Sequence, residues 1–98
     1  MNNLTTIISL VKNCLGIVES ATIKDSEITL LVNTAIADMT RLAIDEDLTN
    51  PLYQSAIVQY VKGNFGMTNE ATKQLCMQSY NLLVSSMQTN VVLDETED

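Results

Sequence analysis

The sequence predicts an all-α fold: a small bundle of four antiparallel helices with an acidic C-terminal tail. Four segments carry apolar residues at three- and four-residue steps, which places those residues on one face of a helix. Short links join the segments, and such links put consecutive helices side by side and antiparallel. At 98 residues the chain can bury one modest core. We therefore expect one helical domain over residues 1–87 and a separate tail over residues 88–98.

The first helix is predicted from Leu4 to Leu15 because its apolar residues share one face. Those residues are Leu4, Ile7, Ile8, Val11 and Leu15. Gly16 follows directly and is a typical helix stop, so residues 16–24 are read as a connection.

The second helix is predicted to begin at Asp25, where an acidic side chain favours a helix start through capping and the helix dipole. The acidic run Asp45-Glu46-Asp47 is expected to end it. Its predicted buried face consists of Ile28, Leu31, Val32, Ala35, Ile36, Met39, Leu42 and Ala43.

The third helix is predicted to begin with Asn50 as the N-cap and Pro51 at the first helical position, where its missing N–H has no cost. Apolar residues, Ile57 among them, cover more than one of its faces, as expected of the most surrounded element. Gly63 and Gly66 are expected to bracket its end.

The fourth helix is predicted from Asn69 to Met87. Its expected buried stripe is Leu75, Cys76, Leu82, Leu83 and Met87. The pattern then changes to a short, extended-type apolar run and a cluster of carboxylates. We interpret this tail as a docking arm toward another protein, formed by Val91, Val92, Leu93, Asp94, Glu95, Glu97 and Asp98.

The charge balance argues against several classes of function. Twelve acidic residues against five basic ones give a net charge of −7, and the basic residues are scattered singly. Binding to a phosphate backbone requires clustered Lys and Arg, so sequence-specific nucleic-acid binding is not expected. No apolar run reaches the ~20 residues of a membrane span, and no signal-peptide pattern opens the chain. We expect a protein made in a cytoplasm, with no membrane partner.

Catalysis, a metal site and a cofactor are not expected either. The chain has no His and only two cysteines, Cys14 and Cys76. These are too few ligands for zinc, and no side chains form a recognisable nucleophile–base pair. Without a secretory signal, both cysteines are expected to be free thiols in the core. We therefore predict a protein that is not an enzyme.

Two short motifs match known sites only in part. Asp45, Asp47 and Thr49 alternate as in a calcium loop, but Asn50 and Ala56 stand where that loop has its glycine and its bidentate Glu. A solvated loop is favoured there. Asp25-Ser26 at a helix start is similar to acyl carrier proteins, whose Ser bears a phosphopantetheine arm. However, Glu27 replaces their Leu, and the following helix is mostly apolar.

One set of segments resembles a known family. The segments are Val11-Lys12, Leu15-Gly16-Ile17, Asp25-Ser26-Glu27-Ile28, Pro51, Tyr60-Val61-Lys62-Gly63-Asn64-Phe65-Gly66, Asn69, Ala71 and Ser79-Tyr80-Asn81-Leu82-Leu83. In this order, over residues 8–87, they resemble the head-tail connector (DNA-packaging adaptor) proteins of tailed bacteriophages. Gly63 departs from the family, which usually has a bulkier helix former there.

The resemblance implies a structural role in the virion neck of a phage or prophage, assembled in the cytoplasm of the bacterial host. Many copies would form a ring that joins the capsid portal protein to a tail-side neck or stopper protein and lets DNA pass. Two other classes remain open on the residues alone. One is a small acidic regulatory or inhibitory binding protein, and the other is a carrier domain with its arm on Ser26.

Overall fold

The structure, a computed structural model, describes residues 3–18, 20–66 and 68–97 and contains four α-helices in that part of the chain. The helices are α1 (Asn3–Cys14), α2 (Asp25–Arg41), α3 (Pro51–Asn64) and α4 (Glu70–Glu97). The described residues form no strand, which confirms the all-α prediction. None of the helices is both long and apolar enough to cross a bilayer in the range that the structure describes.

Both α1 and α2 end with a residue in the left-handed conformation. In α1 this residue is Gly16 (φ 76°), as predicted. In α2 it is Ala43 (φ 67°), and the next N–H, that of Ile44, donates to the carbonyl oxygen of Met39 at 2.9 Å. This is the Schellman arrangement, which normally uses glycine. The prediction that Ala43 belongs to the buried face of α2 is therefore wrong: the helix ends before it, ahead of the acidic run.

The start of α3 follows the prediction. The side-chain oxygen of Asn50 accepts a hydrogen bond from the N–H of Leu52 at 2.9 Å, and Pro51 occupies the first turn. The start of α4 is capped in the same way, because the side-chain oxygen of Asn69 accepts from the N–H of Thr72 at 2.8 Å.

Helix α2 begins at Asp25, as predicted, but Asp25 is its first residue and not its cap. Lys24 occupies the cap position and makes no side-chain cap bond. The carboxylate of Asp25 lies instead 3.0 Å from the ammonium of Lys12 on α1. Attraction between these opposite charges links the first turn of α2 to α1.

The core is one cluster to which all four helices contribute. Its buried members are Ile7, Val11, Ile28, Val32, Ala35, Met39, Ile44, Tyr53, Ala56, Ile57, Val58, Val61, Tyr80, Val84 and Met87. Helix α3 packs against each of the other three helices, which confirms its predicted central position. Leu31, Ile36 and Leu42 were predicted to be buried and lie at the margin instead, partly exposed.

The buried stripe of α4 differs from the prediction. Leu75 and Leu82, which were expected in it, are 66% and 73% exposed. Tyr80 and Val84 take their places, while Cys76 and Met87 are buried as predicted and Leu83 is partly buried. A stripe through Tyr80 gives the three- and four-residue steps of a helical face, and the leucines fall on the opposite face.

Gly63 lies in the last turn of α3 and Gly66 lies beyond it, so the two glycines bracket the helix end as predicted. A Cβ added to Gly63 would lie 3.1 Å from the Cβ of Cys76 on α4. The missing side chain thus allows the two helices to approach closely. The Tyr60 and Tyr80 rings pack edge to face, 5.1 Å apart, and the Asn64 amide contacts the Met77 sulfur at 3.3 Å. These pairings show that α3 and α4 run in opposite directions.

Helix α4 continues through Glu97, ten residues beyond its predicted end at Met87. The extended run predicted over residues 91–93 is therefore wrong, because that backbone is helical. Adding a residue to an existing helix requires no new nucleation, and two valines oppose it only weakly. The division of the chain at residue 88 stays a prediction.

The two cysteines are free thiols, but their positions differ. Cys76 is buried, as predicted. Cys14 is exposed, and its predicted place in the core is wrong. It follows Ile7 by seven residues and so shares the buried face of α1, but it is the last residue of the helix and lies at the exposed end of that face.

Candidate interaction surfaces

A buried lysine connects α1 to the beginning of α2. Lys12 is only 3% exposed, and its ammonium donates to the carbonyl oxygen of Ala21 at 2.7 Å and lies 3.0 Å from Asp25. One cation thus holds the connecting loop and the first turn of α2 together. In the sequence, Lys12 is one of several scattered charges. Its position could have indicated that it is buried, because Lys12 follows Ile8 by four residues on the apolar side of α1.

A second polar group joins α2 to α4. The hydroxyl of Tyr80, which is 2% exposed, donates to Asp38 at 2.6 Å, and the guanidinium of Arg41 donates to the other carboxylate oxygen at 2.7 Å. Both hydrogen bonds lower the pKa of Asp38, and the one from Tyr80 has the larger effect. Burial, followed by the Asp38 contact, raises the pKa of Tyr80 far above its usual range, so the hydroxyl keeps its proton. The group is structural and forms no catalytic pair.

The loop between α2 and α3 surrounds a recess of about 290 Å³, which we call the loop recess. Its walls are Ala43, Ile44, Asp45, Asp47, Asn50, Leu52, Tyr53 and Met87. The acidic loop, residues 45–47, is exposed, as the solvated-loop prediction requires. Asp47 accepts hydrogen bonds from the backbone and hydroxyl of Thr49, which lower its pKa and hold the loop in shape.

The carboxylates around the loop recess do not form a metal centre. Within the described ranges, no three His, Cys, Asp or Glu side chains converge in a way that could hold a metal ion. The recess therefore presents negative charge on a partly apolar wall, which suits a positively charged side chain better than a bare ion.

The opposite end of the α3–α4 hairpin carries two exposed lysines, together with the carboxylates of Glu70 and of Glu27, which accepts from the N–H of Gly66 at 2.7 Å. Lys62 in the last turn of α3 and Lys73 near the start of α4 are both exposed. Lys12, Lys24 and Arg41 pair with carboxylates, whereas the described residues show no ion pair for Lys62 or Lys73. We call these two lysines the basic end. Lys62 follows Asn50 by twelve residues, so it lies roughly 18 Å along the helix from the acidic loop.

The outer face of α4 carries exposed leucines. Leu75 and Leu82 stand seven residues apart, and Leu82 borders a shallow depression together with Gln78, Asn81 and Ser85. On α2, Leu30 is likewise exposed. Leu75 and Leu82 lie two turns apart on one face of α4 and would add apolar area to a contact made there.

The predicted docking arm lies at the end of α4. The backbone of Val91, Val92, Leu93, Asp94, Glu95 and Glu97 continues the helix, while their side chains and Asp98 lie outside the described residues. The contacts predicted for this segment therefore stay a prediction, now for a helical segment rather than a strand.

The chain matches one family of known proteins. A family model described as phage connector protein matches residues 7–98. That match covers almost the whole chain, including the acidic end that lay outside the sequence resemblance. Neither a curated protein nor a solved structure matches the chain. Four helices without a strand in the described residues, and a family match over this length, show that the chain belongs to the phage connector protein family.

Proposed function

We propose that this connector is an adaptor of a phage or prophage virion neck. Several copies form a ring that joins the portal protein of the capsid to a tail-side neck or stopper protein, and DNA passes through the ring. The family match over residues 7–98 carries this proposal, because connector proteins are structural rather than enzymatic. Assembly takes place in the cytoplasm of the bacterial host.

The charge distribution supports passage of DNA without capture. Of five cations, Lys12, Lys24 and Arg41 have carboxylate partners, and only the basic end offers positive charge without one in the described residues. Affinity for a phosphate backbone increases with each cation that contacts it. A ring of such subunits would therefore hold passing DNA weakly.

The distribution of surfaces supports assembly into a ring. A closed ring of identical subunits requires two different, complementary surfaces on each subunit. The described residues present an acidic recess at one end of the α3–α4 hairpin, a basic end at the other, and exposed leucines on α4. No second function has a comparable set of features in its favour.

Deletion of the gene from its phage or prophage tests the proposal. We expect capsids with portals but without attached tails, and restoration of tailed particles by the gene supplied in trans. The purified chain should also bind purified portal protein in many copies. Normal tailed particles from the deletion strain would contradict the proposal, and so would a one-to-one complex with a basic host protein in place of portal binding.

A further inference from the structure

The hydroxyl of Tyr53 is buried in the wall of the loop recess. Tyr53 is 1% exposed, and its hydroxyl oxygen makes no hydrogen bond within the described part of the chain. Buried polar groups are nearly always hydrogen-bonded, and leaving one unpaired opposes folding. By contrast, the equally buried Tyr80 donates to Asp38. The hydroxyl of Tyr53 therefore indicates a contact that the isolated chain does not supply.

The surroundings of this hydroxyl indicate which kind of group would be its hydrogen-bond partner. Tyr53 forms part of the wall of the loop recess, next to Asp45 and Asp47. Burial, followed by the negative charges of Glu46 and Asp47, raises the pKa of Tyr53 to about 12. The hydroxyl thus lies in a negative field and stays protonated. A cationic N–H donor can bond to its oxygen and neutralise the loop at the same time.

A second copy of the chain carries the matching charge. Lys62 and Lys73 are exposed and have no ion pair in the described residues, and they lie at the far end of the same hairpin. An acidic site at one end and a basic site at the other cannot meet within one subunit. Between subunits they make a head-to-tail contact, which generates a ring when the rotation closes.

We propose that the loop recess of one subunit binds a lysine of the basic end, Lys62 or Lys73, from the neighbouring subunit. In this contact the ammonium lies against the carboxylates of the acidic loop, and the recess opens enough for it to reach the hydroxyl of Tyr53, which is buried in the single subunit. The inference rests on the proposed function, because it assumes that copies of the chain associate. It deepens that function by assigning the residues on the two sides of the subunit contact.

Paired charge reversals test the contact. One variant carries Asp45→Lys and Glu46→Lys, which leaves Asp47 and its turn intact, and the other carries Lys62→Glu and Lys73→Glu. Association of purified chain is measured by sedimentation, alone and on portal protein. We expect each variant alone to associate at least tenfold more weakly than the parent. An equimolar mixture should recover parental association, because every recess then meets an oppositely charged end.

The outcomes separate this inference from the proposed function. Variants that associate as tightly as the parent, or a mixture that does not recover, would overturn the assigned contact and leave the ring proposal standing. A parent chain that never self-associates, even on portal protein, would overturn the proposed function and this inference with it.

A Tyr53→Phe variant tests the hydroxyl itself. Removing an unpaired buried hydroxyl should leave the stability of the monomer equal or higher, while association weakens about tenfold. A purely structural tyrosine would not give these opposite changes. Tyr60→Phe is the matched control, since Tyr60 lies outside the recess, and it should associate like the parent. Parental association of Tyr53→Phe would contradict a role for the hydroxyl.

Discussion

Single residues account for how the chain turns between its helices. Gly16 and Ala43 hold the same left-handed conformation at the ends of α1 and α2, but only glycine adopts it without strain. Lys12 then fixes the link between these two helices from inside the protein. The loops of this small domain are therefore specified by a few side chains and not by the packing of the core alone.

The strained end of α2 gives the first prediction. Ala43→Gly removes the clash that an alanine Cβ makes in the left-handed region, and we expect the free energy of unfolding to rise by about 1 kcal/mol. Urea unfolding measures the change. The comparison is Ala37→Gly in the middle of α2, which should destabilise by about 1 kcal/mol through helix propensity. Destabilisation by both substitutions would show that Ala43 is not in the left-handed conformation.

The buried lysine gives the second prediction. Lys12→Ala leaves Asp25 and the carbonyl of Ala21 without their cation, and we expect a loss of about 2–3 kcal/mol. The loss is below that of a fully buried pair because the side chain of Asp25 is 40% exposed to screening water. Lys24→Ala is the matched control, as its exposed pair with Glu27 should contribute under about 0.5 kcal/mol. Equal losses in thermal or urea unfolding would count against the structural role of Lys12.

At the scale of elements, polar contacts join helices that share few contacts with each other, such as α2 and α4. Helix α4 packs mainly on α3, and its contact with α2 depends on Tyr80 and Asp38 and on the amide of Gln88, which donates to the carbonyl of Leu42 at 3.0 Å. Close packing of α3 on α4 requires Gly63. Each of these features can be tested separately.

The contact between α2 and α4 gives a pH-dependent prediction. The pKa of Asp38 is lowered in the folded chain, so its stabilising effect is fully present above its ordinary value of 3.8 and is lost as the pH falls through the lower folded value. Asp38→Asn should therefore cost about 1–2 kcal/mol at pH 7 and much less near pH 3. Urea unfolding at both pH values measures this. The control is Asp45→Asn in the exposed loop, which should be as stable as the parent at both pH values. A loss of stability in Asp38→Asn that did not depend on pH would refute the charge effect.

The approach of α3 to α4 gives the fourth prediction. Gly63→Leu places a side chain where even a Cβ would come within 3.1 Å of Cys76 and 3.2 Å of Met77, so we expect a loss of about 2–3 kcal/mol despite the better helix propensity. Ser55→Leu, on the exposed side of α3, is the control and should change stability by less than about 0.5 kcal/mol. A stabilised Gly63→Leu chain would mean that the two helices are not this close.

The sequence predicts elements well where a local signal marks them. Gly16 and the Asn50-Pro51 pair carry such signals, and the end of α1 and the start of α3 were predicted closely. Ala43 carries none, so the end of α2 was placed too late. The leucines at 75 and 82 suggested the wrong face of α4 because exposed leucines look like core residues in a sequence. The loop recess could not be predicted, since Tyr53 and Met87 meet only through the packing of α3 on α4.

At the scale of the whole molecule, the described surface suits the role of ring subunit proposed above. That surface carries an acidic recess and a basic end on opposite sides of one hairpin, and leucines that no other described helix covers. In the monomer these features contribute little to stability, and the hydroxyl of Tyr53 opposes it. In the proposed ring, the recess of one copy would meet the basic end of the next.

Electron cryo-microscopy of the virion neck tests the connector role most directly. A reconstruction of particles, or of portal protein assembled with the purified chain, should contain a closed ring of four-helix subunits below the portal, with the α2–α3 loop of each subunit against the α3–α4 turn of the next. Helices of the lengths found here make such subunits recognisable at moderate resolution. A neck that is complete without this chain, or density for a single copy bound at its side, would contradict the connector role.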